Sequence, residues 1–270
     1  MVIDATRGRN LWITLDGQRS SFEDHPSGGG AGVTLGADLL RQPGLVLGAA
    51  LGLARAKHEF YEQDEVNVSL YGGWRGGPWR VNGALGYGTL GHDVKRDVRL
   101  GAATRTASGS ADGANVSAGL EAGYQLGGGT LTHGPLVSVL AQRVKVDGFT
   151  EEGAGSANLR YGEQTRSSTL GRLGYQTTYQ AGWWQPYARA SLDRELRDED
   201  REVQAQVASQ SDMPMYSIPA ATPGRSFATL LIGSQFRLAE RWSANVGLSH
   251  VAAQSRADWS GVFATLSAEF

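Results

Sequence analysis

The chain contains no cysteine among its 270 residues. Disulfide staples and thiolate chemistry are therefore excluded, and the composition suits a protein that passes through an oxidising compartment. No apolar run approaches the ~18 residues that a membrane-spanning helix requires. Mean hydropathy is −0.30. Charge of one sign is also missing: 25 Lys and Arg face 27 Asp and Glu, for a net charge of −2. So near-neutral a balance argues against a nucleic-acid partner. Met1-Val-Ile-Asp-Ala-Thr6 has neither a basic nor an apolar leader region. For an exported protein this makes the chain an expected fragment of something longer. Catalytic and metal patterns are lacking too. No GxSxG, no HExxH and no Cys/His spacing occurs, so no catalytic residue, metal or cofactor is assigned. Ser249-His250 is a serine beside a histidine, but neighbours on a strand point to opposite faces and cannot meet.

What the chain has instead is a period of two. In its last stretch Ala264, Leu266, Ala268 and Phe270 alternate with Thr265, Ser267 and Glu269. The same alternation starts at Asn10–Ser20, with Leu11, Ile13 and Leu15 against Thr14, Asp16 and Gln18. It recurs ten more times, for example as Trp79, Val81, Gly83, Leu85 and Tyr87 against Arg80, Asn82 and Ala84. The segment from Pro135 to Val146 carries apolar residues in both parities, so its facing stays open at this level. Five short turns, near Arg41, Gly76, Gly127, Gln180 and Ala239, alternate with six longer polar stretches beginning near Ser21, His58, Lys95, Gly148, Leu196 and Gln254. Those eleven connections separate twelve strands.

Regular sorting of short and long connections points to one architecture: an all-β, closed antiparallel transmembrane β-barrel of about twelve strands, of the outer-membrane type. A strand spans with ~9–11 residues, half of which can be polar. Trp74, Trp79, Trp183, Phe236 and Trp242 gather beside the short turns, as an aromatic girdle at the periplasmic interface does. The apolar face then meets outer-membrane lipid, and the polar face lines a lumen. Arg80, Asn82, Asn115, Glu121, Arg189, Ser191 and Asp193 fall on that polar face, among many Gly and Ala positions. Twelve strands enclose room for one helix or one extended chain.

The ending on Leu266, Ala268 and Phe270 resembles the C-terminal signal of bacterial outer-membrane barrels. That resemblance implies recognition by the barrel-assembly machinery. Leu15-Asp-Gly17, Gly32-Val-Thr-Leu-Gly36 and Arg143-Val-Lys-Val-Asp-Gly-Phe-Thr-Glu-Glu152 resemble the C-terminal translocator barrels of classical type V autotransporters, especially those attached to GDSL-type esterase or subtilisin-like passengers. The resemblance implies a bacterial outer-membrane location in a Gram-negative cell, a monomer, and export of an N-terminal passenger through or alongside the lumen. It also implies that residues 1–9 are the remnant of a lumen helix preceding a barrel over 10–270, with any esterase or protease activity in a passenger outside this chain. The competing expectation is a stand-alone outer-membrane channel.

Overall fold

A computed structural model describes residues 10–22, 25–197, 202–219, 224–255 and 257–270. Residues 1–9, and with them the expected helix remnant, lie outside the described residues. Seventeen strands are named in chain order. They are β1 (Asn10–Phe22), β2 (His25–Gln42), β3 (Leu45–His58), β4 (Tyr61–Gly76), β5 (Trp79–Leu100), β6 (Ala103–Tyr124), β7 (Leu126–Gly128), β8 (Leu131–Val146), β9 (Phe149–Thr150), β10 (Leu159–Tyr161), β11 (Gln164–Tyr179), β12 (Trp184–Glu195), β13 (Glu202–Val207), β14 (Tyr216–Pro219), β15 (Ser226–Arg237), β16 (Trp242–Ala252) and β17 (Ala257–Glu269).

Twelve of these close an antiparallel barrel. Neighbours in the sequence are neighbours in the sheet, and the circle is completed by two pairings. β11 joins β8 from Gln164↔Val146 to Tyr179↔Leu131, and β1 joins β17 from Asn10↔Glu269 to Phe22↔Ala257. The β1–β17 seam therefore brings together the two segments that the alternation had set at opposite ends of the chain. The three-residue β7 only flanks β8 at a turn. Among the described residues the one helical element is a 3-10 turn over Gly155–Ala157.

The core is inverted relative to a soluble protein. Large apolar residues stand on the exposed outer face: Leu85 is 60 % exposed, Leu173 64 % and Leu192 70 %. Asp38, Ser191 and Asp193, in contrast, are buried on the inner face. Strand register decides the facing of β8. Leu140 opposes Gly119, Ser138 opposes Glu121 and Gln142 opposes Ser117, so Leu136, Ser138, Leu140 and Gln142 face inward while Val137 and Val139 face outward. Neighbouring strands thus settle an orientation that the segment's own sequence leaves open.

The five short turns stand where the breakers are. At Pro43-Gly44 the glycine takes φ +76°, the left-handed conformation a type II turn demands after proline. At the opposite end the polar stretches differ from expectation. Two of them are not loops: strands run on, and the chain reverses within two residues at Glu59-Phe60 and Gly101-Ala102; residues 23 and 24 lie outside the described residues. β5 and β6 reach 22 residues each, about twice what the membrane needs. Ladder pairing satisfies their backbone along the whole length, from Trp79↔Tyr124 to Leu100↔Ala103. Among the described residues the longer connections are 147–163 and the segments on either side of β13 and β14.

Thr14 and Thr265 face each other across the seam, their hydroxyl oxygens 2.8 Å apart. Because the chain has no cysteine, the pair T14C/T265C should oxidise to an intramolecular disulfide in the folded barrel, whereas T14C/T229C should stay reduced. Gel mobility with and without reductant reads both. A reduced T14C/T265C pair in folded protein would contradict closure at this seam.

Candidate functional site

The inner wall is a sequence of small polar networks on a floor of small residues. Arg189 of β12 reaches over the β8 and β11 surfaces to Glu121 of β6, with N–O distances of 2.8 and 3.1 Å, and also donates to Gln176 Oε1 at 3.3 Å. Asn115 donates to Glu65 Oε1 at 3.2 Å and accepts from Gln142 at 3.1 Å. Ser191 donates to Asp193 at 3.0 Å, and Arg172 closes on the other oxygen of that carboxylate. Asn82 lies opposite Glu121 in the register, and Arg80 opposite Gly123 and Arg75. The Arg80 side chain makes no hydrogen bond among the described residues, and its Nε is buried without a partner.

At the short-turn mouth a second network braces β1, β2 and β4. Trp12 Nε1 donates to the Tyr71 hydroxyl at 2.9 Å, Tyr71 donates to Asp38 at 2.8 Å, and Arg41 lies 3.0 Å from the same carboxylate. Inward glycines make room for these rings. A Cβ on Gly36 would sit 2.1 Å from Trp12, and one on Gly48 2.2 Å from Tyr71. Gly233 under Tyr187 and Gly247 under Phe263 repeat the arrangement. At the same mouth a cavity of about 540 Å³ opens among Trp12, Asp38, Arg237, Asn245, Thr265 and Glu269.

On the outer face Trp74 precedes the Gly77 turn, and Trp79 follows it with its ring edge-on to Tyr124 at 4.9 Å. Trp183 lies 5.9 Å from Phe236, and Trp242 opens β16 opposite Ala268. All five girdle candidates stand at the short-turn end. Leu266 and Ala268 oppose Ile13 and Leu11 of β1, and Phe270 follows β17 at 64 % exposure. Ser249 contacts Gly261 O at 3.4 Å, while His250 pairs with Ser260 at 2.9 Å on the outer surface.

The far mouth carries structure of its own. Strands β9, β10, β13 and β14 form a separate four-stranded sheet from the two long loops. It meets the protruding β5–β6 hairpin in two ways: Gly109, on the inward parity, lies under Phe149, and the Ser108 backbone pairs with Glu152 along the strand edge. Its anchor is Glu151, 1 % exposed, which accepts two hydrogen bonds from Arg96 at 3.0 and 2.6 Å and one from the Leu159 amide at 2.9 Å. Burial raises the Tyr161 phenol above its ordinary value, and the adjacent Glu151 charge adds to this.

Set against known proteins, residues 11–249 match the family model described as "Autotransporter beta-domain". The chain is an autotransporter β-domain. Esterase EstA of Pseudomonas aeruginosa is 28 % identical over 249 residues, which cover 86 % of this chain and 38 % of that protein. The β-domain thus spans well under half the length of this curated relative. The translocator domain of NalP from Neisseria meningitidis superposes with a TM-score of 0.77 at 17 % identity, covering 98 % of this chain and 89 % of that one. The Bordetella BrkA β-domain gives 0.71 at 17 % identity, covering 97 % and 100 %. This β-domain is accordingly an outer-membrane translocator barrel.

Several inward residues escape a reading by pattern alone: Trp12, Asp38, Arg41, Tyr71, Arg172 and Gln176. Asp38 keeps the inward parity of Thr34 and Gly36, whereas Arg41 is out of strict alternation because a bulge between Asp38 and Leu40 shifts the register. Trp12 does sit on the polar parity, and that was the available signal. The Arg96–Glu151 contact joins residues 55 apart, which no local pattern reveals.

Removing one partner of a buried ion pair typically costs about 3–5 kcal/mol. Glu151→Ala should therefore release the loop sheet while leaving the β-domain barrel folded. Limited proteolysis should cut within 147–163 and 202–219 at least tenfold faster than in wild type, with the heat-modifiable gel shift of the barrel unchanged. Equal cleavage rates would show that Glu151 does not anchor the sheet.

Proposed function

We propose that this β-domain exports a passenger joined upstream of residue 10, and that the passenger crosses through or alongside the polar inner wall. The observation that carries the reading is the placement of the first strand. With twelve strands, β1 begins and β17 ends at the same, short-turn mouth. A segment upstream of Asn10 that is bound for the outside has the whole passage to traverse. The wall along that route is polar, hydrogen-bonded and rich in glycine, so it offers a moving chain few apolar holds. The likeness to an esterase much longer than this chain supports an esterase-type passenger. In this reading catalysis belongs to the passenger, the barrel itself is non-catalytic, and a helical linker preceding the barrel occupies the lumen after export.

The remaining partners follow from the surfaces. Outer-membrane lipid covers the apolar face between the Trp74, Trp79, Trp183, Phe236 and Trp242 girdle and the far end. The barrel works as a monomer, because closure leaves no sheet edge to pair with a second copy. Leu266, Ala268 and Phe270 serve as the signal read by the barrel-assembly machinery; Phe270, exposed and beyond the last ladder bond, contributes little to packing. Deleting Phe270 should lower insertion in cells several-fold while refolding into detergent stays within about twofold. Equal losses in the two assays would assign the residue to barrel stability instead.

The loop sheet bears on transport as well. Lying on the axis side of the hairpin, it caps the far mouth in this reading. In a planar bilayer the wild-type β-domain should pass little current, and deletion of residues 202–219 should raise single-channel conductance at least threefold. A large, unchanged conductance in both proteins would favour a stand-alone channel with an open mouth; silence in both would mean that the inner wall itself closes the passage.

A further inference from the structure

We propose that Arg75 and Arg80, with Arg189 beside them, form an oxyanion-binding site on the inner wall near the short-turn mouth. Arg75 of β4 and Arg80 of β5 are directly opposed in the ladder, just inside the Gly77-Pro78 turn. Like charges directly opposite one another in a sheet repel and destabilise the pair. The local charge count does not relieve this. Arg75, Arg189 and Glu121 all lie close enough to act on Arg80, which makes three guanidinium groups for one carboxylate. That carboxylate is already engaged, since both Glu121 oxygens are taken by the two terminal nitrogens of Arg189. Three other arginines of the wall are paired: Arg41 with Asp38, Arg172 with Asp193, Arg189 with Glu121. Arg80 makes no such match, and its buried Nε has no partner.

The surroundings leave space for the missing anion. The inward position next to Arg80 on β6 is Gly123, where even an added Cβ would approach nothing closer than 3.6 Å. A guanidinium fork suits the two oxygens of a carboxylate or phosphate group, held by paired N–H donors. The site thus takes an oxyanion, either free or carried on a side chain. Because it lines the passage, and resting here on the export reading, the carboxylate of an Asp or Glu on the polypeptide in the lumen is the expected occupant.

Isothermal titration of the full chain in detergent micelles with inorganic pyrophosphate tests the site. Wild type should bind, R75Q/R80Q should bind at least tenfold more weakly, and R55Q, altered on the outer face, should match wild type. A heat-modifiable gel shift confirms that each variant is folded. A short Glu-containing peptide should compete with pyrophosphate where its Gln counterpart does not. Competition supports a side-chain source; pyrophosphate binding without competition supports the site with a free anion as its occupant. No binding by wild type, or equal binding by folded R75Q/R80Q, overturns the proposal. Surface display of a fused passenger is scored separately: display without pyrophosphate binding overturns the site alone, and failure of display by wild type overturns the export reading.

Discussion

Every peptide group that enters a hydrocarbon layer must find its hydrogen bonds inside the protein, because lipid supplies none. The rest of this structure depends on that constraint. A sheet meets it only when its edges are joined, so the β1–β17 seam is a condition of membrane residence rather than one contact among many. Closure in turn divides each strand into an inward and an outward row, and the two rows meet different solvents. Leu85, Leu120 and Leu192 stand exposed on the outward row; Arg189, Ser191 and Asp193 stand on the inward row, where each has a hydrogen-bond partner.

The inner row shows how a barrel of this width manages its volume. Gly36, Gly48, Gly233 and Gly247 lie beneath Trp12, Tyr71, Tyr187 and Phe263, rings laid against the wall rather than aimed at the axis. A glycine weakens a strand by itself, and a covering ring protects its backbone and restores contact. The glycine content therefore does two things at once. In some places it seats the barrel's own aromatics; in others, as at Gly123 or Gly119, it leaves the wall smooth.

Beyond the membrane the solvent changes but the ladder continues. The β5–β6 hairpin extends far past the lipid, and the two longest loops fold back onto its inner side through Glu151. A buried carboxylate is tolerated there because each of its oxygens has a donor, from Arg96, the Leu159 amide or Tyr161. Removed from that company it would carry an unpaired charge, which is why the loop sheet depends so strongly on one side chain.

The chain's alternation determined by itself that this is a closed barrel of twelve strands, which row of each strand is apolar, and which end carries the short turns. Those properties are local: a period of two, a Pro-Gly breaker or a tryptophan beside a turn acts over a few residues and is written in consecutive positions. The polar candidates were legible in the same way, since facing follows from parity. Their partners were not. Glu121 with Arg189, Trp12 with Tyr71 and Asp38, and Arg96 with Glu151 are set by register and shear around the closed circle, which bring distant strands to one height. That some of the longer polar stretches are continued strands was hidden for a related reason. Polarity reports that a segment leaves the membrane, but whether its backbone stays paired depends on the neighbouring strand, and only the tertiary structure holds both.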